Sequence, residues 1–253
     1  MSRPQIDILM YHSIADADGP TSIAPSIFAD QMQAIADAGV PVISLDDLTA
    51  AHAGRKTLPA RCVIITFDDG FVDFRDAAWP VLERLGFQSI VYLPTAQMGR
   101  VENWVGAVDP VRPLMPWSDV RDLAAKGVMF GSHTVTHPDL NGLSPDELDA
   151  ELTKSRDDMV RRLDQKPAHF APPYGLANLR VQQAISKLYK TSVGTRLATA
   201  TLDSPIHDLP RLEMFYFKDI ARWKRHLAGK GAGYLASRRV KRKIGQLVLQ
   251  PWQ

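Results

Sequence analysis

The chain has 253 residues, of which 45% are hydrophobic and 23% are charged, and its net charge is +2. This length and composition are typical of one large globular domain, and (β/α) barrels of this length routinely form a single core. No apolar stretch approaches the roughly 20 residues that a bilayer span requires, and the first residues lack the apolar core of a signal peptide. We therefore expect a soluble, cytoplasmic protein that is not exported.

Short apolar or β-branched runs along the chain predict eight strands. They are Ile6–Tyr11, Val40–Leu45, Cys62–Phe67, Ser89–Leu93, Val128–Gly131, His169–Ala171, Lys190–Val193 and Leu212–Phe217. Cys62, the only cysteine, lies within one of these runs and is interpreted as a small buried hydrophobic residue.

Segments with helical periodicity lie between the runs. Helices are predicted over Phe28–Ala38 after a start signal at Ser26, over Asp73–Leu85 ending at Gly86, over Ser118–Ala125 ending at Gly127, and from the capping pair Ser144 and Glu147 to Leu163. Because strands and helices alternate, we predict an α/β fold, a single-domain distorted (β/α) TIM-like barrel of seven or eight strands over residues 1–218. A doubly wound open sheet is the alternative.

Residues 219–253 are predicted to be a C-terminal basic helix or arm. From residue 220 onward this segment carries nine Lys and Arg residues and no Asp or Glu. Such a cluster could touch an anionic membrane surface or an acidic partner, or it could be the solvated face of a helix beginning near Asp219. No second feature points to nucleic acid.

Aspartate, histidine and tyrosine residues, which are common in the active sites of hydrolases, follow several predicted strands. Asp68 and Asp69 end the third strand, His133 follows the fifth, Tyr174 follows the sixth and His12 ends the first. In (β/α) barrels the active site gathers at the carboxyl ends of the strands, so these groups could converge.

The spacing of these residues suggests a metal centre. Asp69, His133 and His137 are one carboxylate and two imidazoles, the kind of set that catalytic zinc sites use while leaving a position open. Asp68 would then be free to act as a base on water that the metal activates. Because Pro138 disfavours helical geometry at His137, the His133-x-x-x-His137 pair is predicted in an irregular turn.

Three motifs resemble the polysaccharide deacetylase family, the NodB-like carbohydrate esterases. They are Thr66-Phe67-Asp68-Asp69-Gly70, the segment Gly131–Pro138 (GSHTVTHP) and the segment Phe170–Gly175 (FAPPYG), in the order and approximate spacing of that family, and the resemblance spans roughly residues 6–217. Leu9–Ile14 (LMYHSI) and Leu209-Pro210-Arg211 resemble an exopolysaccharide-modifying branch.

The resemblance implies a distorted barrel that removes N-linked, sometimes O-linked, acetyl groups from an acetylated oligo- or polysaccharide with zinc or a similar divalent ion. It implies Asp68 as the base, Asp69, His133 and His137 as metal ligands, and Pro173, Tyr174 and Gly175 as the groove lining. The backbone amide of Tyr174 would stabilise the oxyanion. The donor set would also accept cobalt or nickel.

Two departures from the family pattern stand out. Ala171 occupies the position where many members have the arginine that orients the base, and Arg211 is the candidate replacement. The family's Leu-x-x-His segment near the C-terminal end, the usual source of the general acid, is absent. His207 is the nearest candidate by position, ahead of His226, and a surface loop histidine is the alternative.

Three further residues lie near the predicted site. His12 could support a ligand, contact substrate or pack in the core. Trp104 could shape the groove, because aromatic faces stack on sugar rings and the long Pro94–Trp117 connection is of the kind that carries substrate contacts. Trp117 is interpreted as a hydrophobic staple before a helix that begins at Ser118.

Three functions fit these residues. A metal-dependent carbohydrate deacetylase is favoured over a hydrolase of another amide and over a catalytically inactive glycan-binding module. The substrate is expected to be an intracellular glycan precursor, and the basic C-terminal segment is expected to make weak peripheral contact with a membrane.

Overall fold

Seven parallel strands close into a barrel in sequence order, and the last strand pairs with the first. The computed structural model describes residues 3–107 and 110–248, with side chains as far as Arg242. The strands are β1 (Gln5–Tyr11), β2 (Arg61–Phe67), β3 (Ile90–Leu93), β4 (Met129–Ser132), β5 (His169–Phe170), β6 (Thr191–Leu197) and β7 (Leu209–Glu213). The prediction of a (β/α) barrel is confirmed, with seven strands and without the open sheet.

The helices follow the strands around the outside of the barrel. Those of the described ranges are α1 (Pro25–Asp37), α2 (Leu45–His52), α3 (Trp79–Leu85), α4 (Trp117–Ala125), α5 (Pro145–Leu163), α6 (Leu179–Ser186), α7 (Ile220–Arg225) and α8 (Ala232–Val248). None of them is long and apolar enough to cross a membrane.

Local signals fixed several helix ends. The α5 capping box forms as predicted, with the Ser144 side chain accepting from the Glu147 amide, and α3 ends at Gly86 in a left-handed conformation. Two predicted starts were wrong. α1 begins at Pro25 without a side-chain cap, and α4 begins at Trp117, which is therefore inside the helix and not a staple before it.

The predicted strand Val40–Leu45 does not form. Only Val42 makes a bridge, to Val63 of β2, where β2 has no β3 partner. Pro41 has no amide hydrogen to donate, and Ser44 with Asp47 forms a capping box that starts α2. The helix start therefore cuts the run short.

The last predicted strand is displaced toward the N-terminus. The structure has β7 at Leu209–Glu213, followed by a 3₁₀ turn over Met214–Phe217. Arg211 consequently lies in the middle of β7. The barrel is also uneven, because β4 and β5 share a single residue pair and the β6–β7 register shifts between Val193 and Leu197.

Two apolar layers hold the barrel together. In the outer layer, side chains of α1, α3 and α4 pack on β1 and β2. In the second layer, Leu45 and Leu48 of α2 pack against Ile6, Ile8 and Ile64. Burial of such side chains contributes about 1.5–3 kcal/mol each, so these layers fix the strand ends that carry the polar residues.

The C-terminal segment is not a loose arm up to Leu235. Trp223 and Leu235 are buried in the outer apolar layer, and the Trp223 indole donates to the carbonyl of Gln31. His226 Nε2 lies 3.0 Å from the buried carboxylate of Asp7. Residues 249–253, and the side chain of Lys243 in the basic cluster, lie outside the described part.

Candidate functional site

The predicted polar residues converge at the carboxyl ends of the strands. Asp68 and Asp69 follow β2, His133 and His137 follow β4, and Tyr174 follows β5. Gly70 completes the turn after β2 with φ 74°, a backbone conformation in which a larger residue would be strained, and a Cβ there would also lie 2.6 Å from Leu93 Cδ2.

The backbone around this cluster is unusual. Five described non-glycine residues have left-handed backbones, and four of them, Asp69, Thr134, His137 and Tyr174, lie at the site. Such conformations cost of order 1–3 kcal/mol each and persist where the surrounding structure holds them. Here they turn side chains from three different strand ends toward one point.

Asp69, His133 and His137 form one buried cluster of donor atoms. Asp69 Oδ1 lies 3.3 Å from His133 Nε2 and 3.4 Å from His137 Nε2. A tetrahedral ion with bonds of about 2.0–2.1 Å would separate its ligands by about 3.3 Å. Because Asp69 Oδ1 is buried without a hydrogen-bond donor, these three residues fit a divalent metal.

The surroundings orient the two imidazoles. His133 Nδ1 lies 2.6 Å from the carbonyl of Ala171, which makes Nδ1 the protonated nitrogen and leaves the Nε2 lone pair directed at the cluster. The Trp104 ring stacks on His137 at 4.3 Å, and the Tyr174 ring meets its edge at 4.8 Å.

Charge within the cluster perturbs each group. Burial raises the pKa of the Asp69 carboxyl, but the two facing imidazoles outweigh it and hold that pKa well below 3.8. Burial lowers the pKa of His137, whereas Asp69 and Asp68 raise that of His133 above its usual value despite burial. The cluster thus favours an ionised carboxylate at Asp69.

Arg211 forms a fork on Asp68. Its guanidinium donates to both carboxylate oxygens at 2.7 Å, and it also donates to Thr66 Oγ1 and to the carbonyl of Gly194. Arg211 is 1% exposed. Burial raises the pKa of Asp68, but Arg211 outweighs it, so the pKa lies below 3.8 and Asp68 is an anion at neutral pH.

This geometry bears on the first departure from the family pattern. Ala171 is fully buried and contributes only its carbonyl, to His133. The guanidinium on Asp68 instead comes from β7, which is where the sequence placed the candidate replacement.

The structure brings His12 to the site and leaves His207 outside it. His12 Nε2 lies 3.8 Å from Asp68 Oδ2, and its side chain is 17% exposed toward the mouth of the barrel. His207 directly precedes β7, and its Nε2 bonds to the carbonyl of Tyr189 before β6, at the amino end of the strands. His226 is engaged with Asp7, also away from the mouth. We therefore do not retain His207 as the general acid.

Tyr174 and Trp104 face each other across His137, with Pro173 and Gly175 beside them. Pro173 is buried, and a Cβ on Gly175 would lie 2.3 Å from Thr195, so this segment lies tightly against β6. One face of the Trp104 ring packs against His137, so Trp104 supports a residue of the donor cluster and is also part of the groove wall.

One supporting pair gave no signal in the sequence. Arg112 and Glu102 form a buried two-pronged ion pair, and Arg112 also donates to Ser22 and covers the Phe71 ring. This pair closes the loop that carries Trp104. Nothing local in the sequence marks two charges ten residues apart in a connection as partners.

Comparisons with known proteins agree with this geometry. The sequence model of the family described as polysaccharide deacetylase matches residues 55–193. The YxkH protein of Bacillus subtilis (strain 168) is 25% identical over 211 residues, which cover 83% of this chain and 71% of that protein. The poly-beta-1,6-N-acetyl-D-glucosamine N-deacetylase of Escherichia coli (strain K12) is 25% identical over 135 residues, 50% of this chain and 20% of that protein.

Two solved structures share the fold. The Streptococcus pyogenes deacetylase PplD in complex with acetate has a TM-score of 0.73 at 26% identity, covering 83% of this chain and 92% of that chain. IcaB from Ammonifex degensii has a TM-score of 0.74 at 21% identity, covering 88% and 98%, and supports the fold alone.

Proposed function

The chain belongs to the polysaccharide deacetylase family, and on that premise we propose that it is a metal-dependent hydrolase that removes N-acetyl groups from an amino-sugar glycan. The proposal rests on one observation, which is that two groups of buried residues lie side by side at the carboxyl ends of the strands. A buried donor cluster of Asp69, His133 and His137 lies beside a carboxylate, Asp68, that a buried arginine holds as an anion.

Asp69, His133 and His137 would hold the divalent ion. When bound, such an ion polarises the acetyl carbonyl and makes water more acidic. The protein's part is to supply two imidazoles and one carboxylate at fixed positions, with the Ala171 carbonyl fixing the His133 tautomer. Zinc, cobalt and nickel all suit this donor set.

Asp68 is proposed as the general base. The Arg211 fork holds both of its oxygens, so the carboxylate cannot rotate away from the mouth. A base held in one orientation removes a proton without first losing side-chain freedom. The fork also lowers the basicity of Asp68, and the proposal requires only that the ionised form predominates at neutral pH.

His12 is proposed as the proton donor to the leaving amine. It lies beside Asp68, and it is the histidine at the site that is outside the donor cluster. An imidazole suits this role because it can carry a proton near neutral pH and release it to a stronger base. The backbone amide of Tyr174 is proposed as the oxyanion donor.

The proposed substrate is a polymer or oligomer of N-acetylated hexosamine. Support comes from the E. coli relative, whose described substrate is poly-beta-1,6-N-acetyl-D-glucosamine, and from the open mouth lined by Trp104 and Tyr174. Aromatic rings at a groove offer flat apolar faces to sugar rings.

The test is acetate release from β-1,6- and β-1,4-linked N-acetylglucosamine oligomers by purified protein, with zinc and after chelation. Asp68→Asn is compared with Asp122→Asn, an exposed aspartate of α4. We expect zinc-dependent release that only Asp68→Asn abolishes. Release from simple amides but from no glycan would favour another amide hydrolase. Glycan binding without release would favour an inactive binding module.

A further inference from the structure

The exposed large hydrophobic side chains are unevenly distributed. Of the seven in the described residues, five lie in connections that follow β3 and β5 at the mouth of the barrel. They are Val101, Val105, Val111, Leu176 and Leu179. Single exposed aliphatic residues are ordinary on protein surfaces, whereas several of them at one end of a barrel are not.

Contacts show that these connections lie side by side. Trp104, which directly precedes Val105, and Tyr174, which directly precedes the Gly175–Leu176 turn, both pack against the ring of His137. Gly175 in turn lies against the side chain of Thr195 at the end of β6. The loop after β3 and the loop after β5 therefore form one continuous rim.

The basic helix α8 continues this rim. Arg242 Nη1 donates to the carbonyl of Thr195 at 3.0 Å, and the side chain of Thr195 lies against Gly175. This part of α8 therefore lies next to the loop after β5. Arg238 covers the Tyr216 ring at 4.0 Å, which fixes the helix beside the end of β7. Arg239, Val240 and Lys241 are exposed here, and the sequence of α8 contains no acidic residue.

We propose that this rim docks the barrel mouth on an anionic lipid bilayer. In that arrangement the exposed valines and leucines enter the interfacial region, while Arg239, Lys241 and their basic neighbours contact lipid phosphates. Aliphatic tips next to a row of cations are the combination by which proteins bind at a membrane surface without crossing it.

The chemistry of the rim favours a bilayer over a hydrated polyanion. A soluble acidic polymer would satisfy the cations of α8 but would leave Leu179 and Val105, which are 70% and 62% exposed, in water. A bilayer interface accepts both groups at once. The docked mouth would face the lipid, so, given the proposed function, the glycan would be one held at or emerging from a membrane.

The test is co-sedimentation of the full chain with vesicles of phosphatidylcholine, with and without phosphatidylglycerol, across a range of salt concentrations. Arg239→Gln/Lys241→Gln should weaken binding to the anionic vesicles roughly 25-fold, about fivefold per cation, and make binding less sensitive to salt. Leu179→Gln/Val111→Gln should weaken binding about tenfold with the salt dependence unchanged.

Matched controls lie at the other end and on the side of the barrel. Arg84→Gln/Lys126→Gln removes two exposed cations where α3 and α4 end, and Val160→Gln removes an exposed valine of α5. Neither should change binding by more than about twofold. Acetate release from a soluble oligomer should be unchanged in all variants, so loss of membrane binding is separable from loss of the proposed reaction.

Three results would overturn the docking surface. The first is unchanged binding of Arg239→Gln/Lys241→Gln to anionic vesicles. The second is a loss of vesicle binding in the control variants as large as in the rim variants. The third is displacement of the protein from vesicles by dextran sulfate together with unchanged vesicle binding of Leu179→Gln/Val111→Gln. The last result would assign the cations to a soluble polyanion.

Discussion

Replacement of Arg211 by methionine should destabilise the protein as well as inactivate it. Methionine fills much of the space of the arginine stem but removes the two bonds to Asp68 and the bonds to Thr66 and Gly194. Asp68, which is 4% exposed, would then be a buried anion with no guanidinium. The same change therefore tests the fold and the proposed base.

The expected cost follows from this burial. Removing one partner of a buried ion pair typically costs about 3–5 kcal/mol, because the remaining charge is left uncompensated. In a chain of this size each kcal/mol shifts the melting temperature by about 2–4 °C, so Arg211→Met should lower it by about 6–20 °C. The melting temperature of Arg211→Lys should lie between those of the native protein and Arg211→Met, because an ammonium keeps the charge but cannot form the fork.

The assay is urea unfolding of chelator-treated protein, because bound metal would add its own stabilisation. Arg211→Met, Asp68→Asn and the double variant form a cycle. Since the double variant removes both buried charges, it should be less destabilised than the sum of the single variants by about 2–3 kcal/mol.

Single and double effects that add within about 0.5 kcal/mol would contradict a strong coupling between Asp68 and Arg211. Such a result would mean that Asp68 and Arg211 are each compensated by water or by other groups. An exposed ion pair, Arg75 with Asp76, supplies the matched control cycle, and its coupling should be below about 1 kcal/mol.

Three further predictions concern single residues. Asp69→Ala should lower the zinc affinity of chelator-stripped protein by at least about 100-fold in calorimetric titration, and native affinity in this variant would remove Asp69 from the metal site. His12→Gln should lower kcat for acetate release by about 10²–10⁴-fold with zinc affinity retained, whereas His207→Gln should change kcat less than about twofold; equal effects would contradict the assignment. Burial raises the pKa of Asp7, but His226 and Arg61 outweigh it and place the pKa below 3.8. The ionised carboxylate therefore stabilises the fold above about pH 4, and this stabilisation is lost as the pH falls through the folded pKa. Asp7→Asn should therefore lower the melting temperature at neutral pH and flatten its fall in acid, and parallel curves for native and variant would contradict this.

Several features were predictable because their causes are local. The Ser144–Glu147 capping box and the Gly86 helix end depend on residues within one turn of each other, so the sequence displays them directly. The alternation of apolar runs with helical periodicity likewise predicted a (β/α) barrel. The strand that failed, Val40–Leu45, has the right composition but meets a proline and a helix cap.

The site was predictable only in part. Asp68, Asp69, His133 and His137 were found because each follows a strand, and strand ends meet at one end of a parallel barrel. From the sequence, His207 was the candidate general acid, and His12 was only a supporting or substrate-contacting residue. The pairing of β1 with β2, which sets Tyr11 opposite Phe67, places His12 beside Asp68, whereas His207 precedes β7 and is left at the opposite end of the barrel.

The barrel class, the donor residues, the capping box of α5 and the end of α3 could be predicted from the sequence, because they follow from periodicity, residue type and neighbours a few positions apart. The tertiary structure alone decided that Arg211 forks Asp68 across 143 residues, that Trp104 stacks on His137, and that α8 reaches the rim at Thr195. These contacts depend on strand register and barrel closure. Register and closure are set by the packing of the whole core, and no short segment carries that information.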